Sequence, residues 1–208
     1  MRRKHSEITD PKEMTRILAS TNIGRMATVD TEGYPYIIPL NFVFHEGCVY
    51  FHSAPKGEKL DHLTRDPRVC FEVDAPLAYL EVAFNPERNP CRTHQLYHSV
   101  IIRGLARIVP DGELKTAALN ALVAKHEGNR DFPPVTPDSL AYKACCVVEI
   151  KPERMTAKSD LSQNRTQDQR RSIAEHLAKR GFPGDLEAVR AMGFELEGSK
   201  GKGWRLKG

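Results

Sequence analysis

The chain of 208 residues is 40% hydrophobic and 28% charged, with a formal net charge of +4, which excludes gross disorder and a dedicated nucleic-acid-binding protein. No apolar run approaches the ~20 residues that span a bilayer, and the basic N-terminus lacks the apolar stretch of a signal peptide. Five cysteines without a C-x-x-C pair are typical of reduced thiols, so we expect a cytoplasmic protein. We expect no membrane partner, and the mild net charge disfavours a nucleic-acid partner.

The first predicted element is a short helix that starts after Asp10. Asp10 can cap the helix, Pro11 fits its first position, and Glu13 stands where a capping box needs it. The pattern then alternates with period two, which predicts strands. The three predicted strands cover residues 24–29, 34–44 and 48–52. Short turns between them indicate an antiparallel meander, and Pro35 and Pro39 in the second strand demand an edge position, a bulge or a bend.

Helical and strand patterns alternate along the middle of the chain. Helical spacing returns after Lys56, stops at Asp66, and recurs over residues 114–126. Further strands are predicted over residues 69–73, 97–109 and 145–150, the last with an extension over 154–158. The short strands and turns predict a mainly β fold.

The chain is predicted to contain one main domain and an extension. Residues 1–158 hold the predicted strands, whereas residues 159–208 are more polar and show two helical patterns. The segments 194–197 and 204–207 alternate in register, which predicts a β-hairpin with an apolar face and ion pairs between Glu and Arg or Lys on the other face.

The most informative local feature lies where the third strand meets the next helix. The strand ends with His52 and Ser53, a Pro/Gly turn follows, and lysines stand at positions 56 and 59 as the helix opens. Free backbone N–H groups and the positive end of a helix suit a phosphate, and a lysine adds a full charge. The G-K-[ST] order of a P-loop is absent. The alternative is a plain connection with solvated lysines.

Three sequence runs together resemble a known family. They are G-R-M-A-T at 24–28, P-L-N at 39–41 and Y-F-H-S-A-P-K-G-E-K at 50–59. With these runs the chain, from about Glu7 to Lys158, resembles the pyridoxamine 5′-phosphate oxidase-like superfamily of FMN-binding split barrels. It looks closest to the branch that contains the nitroimidazole-resistance flavoproteins. A later segment, from Lys158 to Arg165, is similar to part of a related FMN-binding family of transcriptional regulators.

The resemblance implies a β-barrel with peripheral helices, six-stranded or similar and antiparallel, which binds FMN at the interface of a homodimer. The implied FMN contacts of one subunit are Arg25, Met26, Ala27, Thr28, Pro39, Leu40, Asn41, Phe51, His52, Ser53, Lys56, Gly57 and Lys59. Either Tyr97, Ser99 and Val100 or Ser162, Gln163 and Asn164 would come from the partner subunit. Lys59 would hold the FMN phosphate.

The implied activity is an FMN-dependent oxidoreductase related to nitroimidazole reductases. Reduced FMN would pass electrons to a small organic acceptor, and His52 would supply a proton, since a histidine stands at the matching position of the nitroimidazole-resistance branch. The alternative is a structural role for His52, as a half-buried strand residue whose imidazole is bonded to a backbone carbonyl. The C-terminal substrate segment of the vitamin oxidases has no clear counterpart here, which disfavours pyridoxamine phosphate oxidation. The alternative class is a non-catalytic flavin-binding or regulatory module, or a haem-binding relative.

Other combinations of residues are weaker candidates. Cys91, His94 and His98 are potential metal ligands, but a fourth ligand at a familiar spacing is absent from the sequence, and no metal site is predicted. Basic residues after position 164 alternate with acidic ones, which is typical of a solvated face rather than of a DNA-binding surface. Cys145 and Cys146 are adjacent on a predicted strand and point to opposite faces, so core packing is expected instead of a disulfide.

Overall fold

The computed structural model describes residues 4–128, 130–199 and 203–207. The helices are α1 (Pro11–Ser20), α2 (Glu58–Arg65), α3 (Glu113–Glu127), α4 (Leu140–Ala144), α5 (Gln167–Arg180) and α6 (Asp185–Ala191). The strands are β1 (Glu7–Ile8), β2 (Ile23–Val29), β3 (Pro35–Asn41), β4 (Val43–His45), β5 (Cys48–Ser53), β6 (Arg68–Leu80), β7 (His94–Val109), β8 (Cys146–Asp160), β9 (Leu196–Ser199) and β10 (Gly203–Leu206). The first residues of the basic N-terminus and residues 200–202 of the predicted hairpin loop lie outside the described residues.

Eight of these strands form one sheet, which confirms the predicted mainly β fold. The strand order is β3-β2-β6-β7-β8-β5-β4, and β1 pairs with β8. Every pair with a defined register is antiparallel, including β2 with both β3 and β6, and β5 with both β4 and β8. In the described part of the chain, no helix is both long and apolar enough to cross a membrane.

The predicted three-stranded meander is wrong. The single strand expected over residues 34–44 is two strands, β3 and β4, and the fully buried Phe42 separates them. As a result β2–β3 and β4–β5 are two hairpins at opposite ends of the strand order. Pro35 and Pro39 demanded an edge position, a bulge or a bend, and β3 that contains them is an edge strand.

Residue contacts divide the chain into two compact units, which we name the site unit and the terminal unit. The site unit comprises Asp10–Val73 and Val100–Thr156, and the terminal unit comprises Met1–Thr9, Asp74–Ser99 and Ala157–Gly208. The domain boundary predicted at residue 158 stays a prediction.

One buried cluster of the site unit lies between α3 and the paired strands β5 and β8. Ala118, Leu119 and Leu122 of α3 pack in one cluster with Tyr50 and Val147. This confirms the helix predicted over residues 114–126. The short helix α4, which the sequence pattern did not indicate, adds Tyr142 to the same cluster.

The terminal unit contains the two predicted helices and the predicted hairpin. Ile173 and Leu177 of α5 pack in one buried cluster with Val189 of α6. Strands β9 and β10 pair with Glu197 opposite Arg205, and these two side chains form an ion pair of 2.6 Å. A second pair joins Glu195 and Lys207 at 2.9 Å, so both predicted Glu–Arg/Lys contacts are present.

Candidate functional site

The pleat of β2 divides its four predicted FMN contacts between two faces. Met26 is fully buried and Thr28 nearly so, whereas Arg25 is exposed and Ala27 is half-buried. Successive side chains of a strand point to opposite faces. Arg25 and Ala27 therefore present their side chains on the open face, while Met26 and Thr28 offer a ligand only backbone groups.

The register of β3 extends this open face. Arg25 lies opposite Pro39 and Ala27 lies opposite Ile37, so these side chains share a face with the exposed Asn41. Leu40, also predicted as a contact, is half-buried on the other face. The open face thus combines small and apolar side chains with one guanidinium and one amide. The Arg25 guanidinium lies 3.3 Å from the Glu72 carboxylate of β6.

Strand β5 presents one of its three predicted contacts. Phe51 is fully buried and Ser53 is nearly so, and the Ser53 hydroxyl donates to the carbonyl of Ala54 at 2.9 Å. His52 lies between them and is exposed on the opposite face, as the alternation of a strand requires. His52 is therefore the side chain of this strand end that a ligand can reach.

Helix α2 begins at Gly57 with a geometry suited to an anion. Gly57 has a φ of 138°, in a region that favours glycine, and it is the cap of an eight-residue helix. The first N–H groups of a helix lack intrahelical acceptors, and the helix dipole adds partial positive charge. Lys56 is exposed and Lys59 is half-buried in the first turn. The first turn also carries the carboxylates of Glu58 and Asp61 beside the two lysines. The Leu60 and Asp61 N–H groups donate to the Gly57 carbonyl at 2.8 and 3.3 Å, so the donors that remain for an anion precede Leu60.

A buried histidine that sequence reasoning missed fixes α2 to the sheet. His62 Nδ1 and Thr28 Oγ1 share a hydrogen bond of 2.9 Å, and the rings of His62 and Tyr36 form a T-shaped pair with 5.3 Å between centroids. These contacts hold α2 against β2 and β3. The sequence signal for this role is its position between Leu60 and Leu63, on the buried side of the helix.

A cavity of about 480 Å³ opens beside His52. One wall is a single face of α3, made of Leu119, Leu122, Val123 and His126. The remaining lining residues are Asn41, His52, Glu127, Val135, Ala141 and Cys145. The cavity thus brings together Asn41 and His52, which the sequence predicted as site residues, with a helix that the sequence had not connected to the site.

His126 is held in one orientation at the edge of this cavity. The Asn41 amide nitrogen lies 3.3 Å from His126 Nδ1, and the Phe42 carbonyl lies 3.3 Å from its Nε2. Because an amide nitrogen only donates, Nδ1 accepts this bond, and Nε2 carries the proton that it donates to Phe42.

The ammonium group of the neighbouring Lys125 is bound by backbone carbonyls of α1 and does not line the cavity. Its Nζ donates to the carbonyls of Leu18 and Thr21 at the end of α1, at 3.0 and 2.7 Å, and lies 3.5 Å from the centroid of the Phe42 ring. Burial lowers the pKa of Lys125 to about 8. Lys125 therefore ties α3 to α1.

A buried carboxylate lies on the same sheet face as His52. Tyr50 is two residues before His52 on β5, its partner across the strand pair is Glu149, and its hydroxyl donates to Glu149 at 2.8 Å. The Arg107 guanidinium donates to the other carboxylate oxygen. Burial alone would raise the pKa of Glu149, but hydrogen bonds from Arg107 and Tyr50 outweigh it and hold that pKa below its usual value.

Several predicted partner contacts belong to the terminal unit. Tyr97 and Ser99 are half-buried on β7, and Val100, in the site unit, is fully buried. Ser162 is buried at a φ of 60°, and the Gln163 side chain accepts from the Leu161 N–H at 2.7 Å. Asn164 is exposed. The FMN role predicted for these residues stays a prediction.

The three residues considered as potential metal ligands, Cys91, His94 and His98, differ in exposure and in their contacts. His94 contacts Asp160 at 3.0 Å, His98 is buried, and Cys91 is exposed. In the part of the chain that the structure describes, no three His, Cys, Asp or Glu side chains are grouped to hold a metal ion. Cys145 and Cys146 are free thiols, and burial raises the pKa of Cys145.

Comparison with known proteins places this geometry in a family. A family model described as pyridoxamine 5′-phosphate oxidase matches residues 10–159. A curated relative is the 5a,11a-dehydrotetracycline/5a,11a-dehydrooxytetracycline reductase of Streptomyces rimosus, which is 30% identical over 105 residues. The match covers 49% of this chain and 64% of the relative, so the chain spans less than two thirds of that protein's length.

Solved structures show the same fold. A candidate 5-nitroimidazole antibiotic resistance protein from Bacteroides thetaiotaomicron has a TM-score of 0.61 at 24% identity, over 73% of this chain and 85% of that one. The FAD and Heme binding protein from Mycobacterium smegmatis has a TM-score of 0.63 at 15% identity, over 94% and 87%. These likenesses confirm the predicted split-barrel fold. Since the family model also matches well over half of its residues, the chain belongs to the pyridoxamine 5′-phosphate oxidase family.

Proposed function

We propose that the protein binds FMN and acts as a flavin-dependent reductase of a small organic acceptor. The observation that carries the proposal is the grouping, within the site unit, of an open sheet face, an exposed histidine and a helix start with two lysines. A flavin requires a flat apolar surface for its ring, donors at the ring edge and cations for its phosphate. When bound, reduced FMN supplies electrons to the acceptor.

The chain's own residues have distinct roles in this proposal. Ala27, Ile37 and Pro39 provide the surface for the ring, since their side chains share one face of the β2–β3 pair. Lys59 and the first N–H groups of α2 bind the phosphate. His52 stands at the end of β5 and gives a proton to the acceptor, because an imidazole both accepts and donates protons near neutral pH.

The names of the relatives support a reductase, and the choice between FMN and FAD is argued from the residues of this chain. The Streptomyces rimosus relative is named as a reductase, and the mycobacterial structure is named for FAD and haem. We favour FMN because the two lysines and the helix start provide one compact anion site, which matches a single terminal phosphate. The G-x-G-x-x-G fingerprint of a Rossmann dinucleotide site is absent from the sequence.

The partner in this proposal is a second copy of the chain. The open face exposes large apolar residues, among them Ile23 and Ile37 on β2 and β3 and Ile101 and Leu105 on β7. Extended apolar surface of this kind is typical of an interaction site. A homodimer that covers this face would shield a flavin ring lying on it from water.

The direct test is FMN binding followed by turnover. We expect the pure protein to perturb the flavin absorption bands and, with FMN reduced by a nicotinamide or a reductase, to pass electrons to an added nitro compound. Lys59→Ala should weaken FMN binding by about tenfold or more, because a lost charge-assisted phosphate contact costs about 1.5–3 kcal/mol. Lys12→Ala, which removes an exposed lysine of α1, is the matched control.

Two results would contradict parts of the proposal. Unchanged FMN affinity in Lys59→Ala would exclude the phosphate role of Lys59. Full turnover in His52→Ala would exclude His52 as the proton donor, while tight FMN binding without any turnover would favour the non-catalytic flavin-binding module.

A further inference from the structure

We propose that the cavity beside His52 is the acceptor pocket and that it takes an uncharged or cationic compound of two or three fused rings. The cavity occupies about 480 Å³ between α3, α4 and the ends of β3 and β5. The inference depends on the proposed function only in naming the occupant an electron acceptor. Whether the cavity binds the ring compound can be tested without FMN and without turnover.

The size of the ligand follows from the wall that α3 provides. Leu119, Leu122, Val123 and His126 recur at the three- and four-residue spacing of one helix face. At 1.5 Å per residue this face is about 10.5 Å long. A cavity of about 150 Å³ holds one benzene ring, so 480 Å³ gives room for about three rings.

The charge of the ligand follows from the groups around the cavity. Among the residues that the structure describes, no lysine or arginine lines it, and Glu127 contributes a carboxylate. The C-terminal end of α3 also lies here, and a helix C-terminus carries partial negative charge. Three cations near the cavity are engaged by other groups. The carbonyls of α1 bind Lys125, Glu127 pairs with Arg130 at 3.0 Å, and Asp111 pairs with Lys115 at 2.9 Å.

An anionic substrate therefore meets no lysine or arginine among the described residues that line this cavity. Pyridoxamine 5′-phosphate would have to place its phosphate at a helix C-terminus, beside a carboxylate that is already paired with Arg130, at an electrostatic cost. The other polar groups that line the cavity are chiefly the Asn41 amide and the imidazoles of His52 and His126, which can donate and accept hydrogen bonds. These groups suit ring heteroatoms or hydroxyls at the edge of an apolar ring system.

The test uses three fluorescent probes that share one three-ring frame and differ in charge. They are 9-anthracenemethanol, 9-aminoacridine and anthracene-9-carboxylate, with pyridoxamine 5′-phosphate as a competitor. We expect the neutral and cationic probes to bind at least about tenfold more tightly than the carboxylate, a difference of about 1.4 kcal/mol. Equal binding of all three, or displacement by pyridoxamine 5′-phosphate, would overturn the charge argument.

Filling the cavity should remove the binding. Ala141 is exposed and lines the cavity, so Ala141→Trp should weaken the neutral probe by at least about tenfold. Ala144→Trp makes the same change at an exposed position of the same helix outside the lining, and it should change binding by less than about twofold. Val123→Phe fills the cavity from α3 and provides a second variant. Probe binding that survives both filling variants would overturn the proposal.

The flavin itself is the competing occupant, and the same variants distinguish it. Probe binding is measured by fluorescence without FMN and by equilibrium dialysis with FMN. If Ala141→Trp loses the probe and keeps FMN, the cavity is the acceptor pocket. If FMN displaces the probe, or Ala141→Trp loses FMN, the cavity holds the flavin ring and the proposal is wrong. A protein that binds the probe but never FMN would refute the proposed function and leave the pocket in place.

Discussion

At the scale of single residues, the site unit keeps one buried carboxylate charged. Glu149 accepts from the Tyr50 hydroxyl at 2.8 Å and from the Arg107 guanidinium. Burial and the Glu149 bond both raise the pKa of Tyr50, while Arg107 and Tyr50 lower that of Glu149 against the effect of burial. The phenol therefore stays protonated and the carboxylate stays ionised, and each fixes the other on the sheet face that also carries His52.

The charge of Glu149 contributes to the stability of the protein. Glu149→Gln should lower the free energy of unfolding by about 1–3 kcal/mol at pH 7, because the charged hydrogen bond from Arg107 is lost from a buried acceptor. The folded pKa of Glu149 lies below its unfolded value. Its contribution is therefore complete above the unfolded pKa and is lost as the pH falls through the folded pKa.

Urea unfolding of wild type and Glu149→Gln over pH 3 to 8 measures this effect. The difference between the two proteins should shrink as the pH falls below about 4.3, the ordinary pKa of a glutamate. A difference that stays constant over the whole range would show that packing, not charge, accounts for the loss.

Single residues also show why part of the site was beyond sequence reasoning. His52 was predicted because it ends a strand just before a Pro/Gly turn, which is a local signal. His126 depends on Asn41, 85 residues away, and Glu149 depends on Tyr50, 99 residues away. Such contacts exist only after the sheet has formed, so no local pattern indicates them. The run from Arg25 to Thr28 was predicted to lie along the flavin and stays a prediction; the pleat shows that Met26 and Thr28 can contribute to it only through backbone groups.

At the scale of elements, two glycines are required for different reasons. Gly57 starts α2 at a φ of 138°, and an added Cβ would have open space around it. Gly104 on β7 is required by contact, because an added Cβ would lie 2.2 Å from the Lys151 carbonyl oxygen of β8. A substitution at Gly57 therefore strains the backbone, whereas one at Gly104 forces β7 and β8 apart.

Substitution of Gly57 distinguishes the effect of backbone strain on stability from the effect of the α2 start on FMN binding. Gly57→Ala should destabilise the protein by about 1–3 kcal/mol through backbone strain, and it should also weaken FMN binding because it distorts the start of α2. Gly33→Ala is the matched control, since Gly33 has a φ of 91° and equally open surroundings in the β2–β3 turn. Denaturant unfolding and FMN titration of both variants provide the measurement. Equal FMN affinity in the two variants would show that the start of α2 does not bind the FMN phosphate.

Gly104→Ala gives a second prediction for the elements. The clash with backbone atoms of β8 should cost about 3 kcal/mol or more, since neither strand can move without loss of its pairing. Thermal and denaturant unfolding test the value. A loss below about 0.5 kcal/mol, the usual limit for harmless substitutions, would mean that the two strands separate easily.

The elements themselves were largely predictable, and their pairing was not. Helices α1 and α2 follow from caps and breakers, and the strands follow from alternation, because these signals lie within a few residues. The sequence does not show which strands become neighbours: β2 pairs with β6 through Arg25 and Glu72, 47 residues apart. The division at Phe42 was missed for the same reason, since continuous apolar character hides a change of strand partner.

At the scale of the whole molecule, the proposed homodimer is the feature most open to test. Ala27, Ile37 and Cys70 lie in one row across β3, β2 and β6. Ile37, at 62% exposure, is the most accessible of the three. A charge placed here would be buried without a partner if a second copy covers the row.

Ile37→Lys should therefore convert a dimer to a monomer, with dissociation at least about 100-fold easier. Light scattering after size-exclusion chromatography measures the mass, and FMN retention should fall with it. Leu140→Lys, at an 86% exposed leucine of α4, is the control that should stay dimeric. An Ile37→Lys protein that remains dimeric would place the interface elsewhere.

The prolines of the edge strand β3 bear on how such copies can associate. A residue in an antiparallel strand directs its N–H and C=O to the same side, so Pro35, Ile37, Pro39 and Asn41 direct theirs away from β2. Two of these four positions carry no N–H at all. The free edge is consequently a poor template for strand addition, even though the adjoining face is apolar. A concentrated solution should therefore favour a finite face-to-face assembly over fibrous aggregation through this edge, and replacing both prolines by valine would remove that protection.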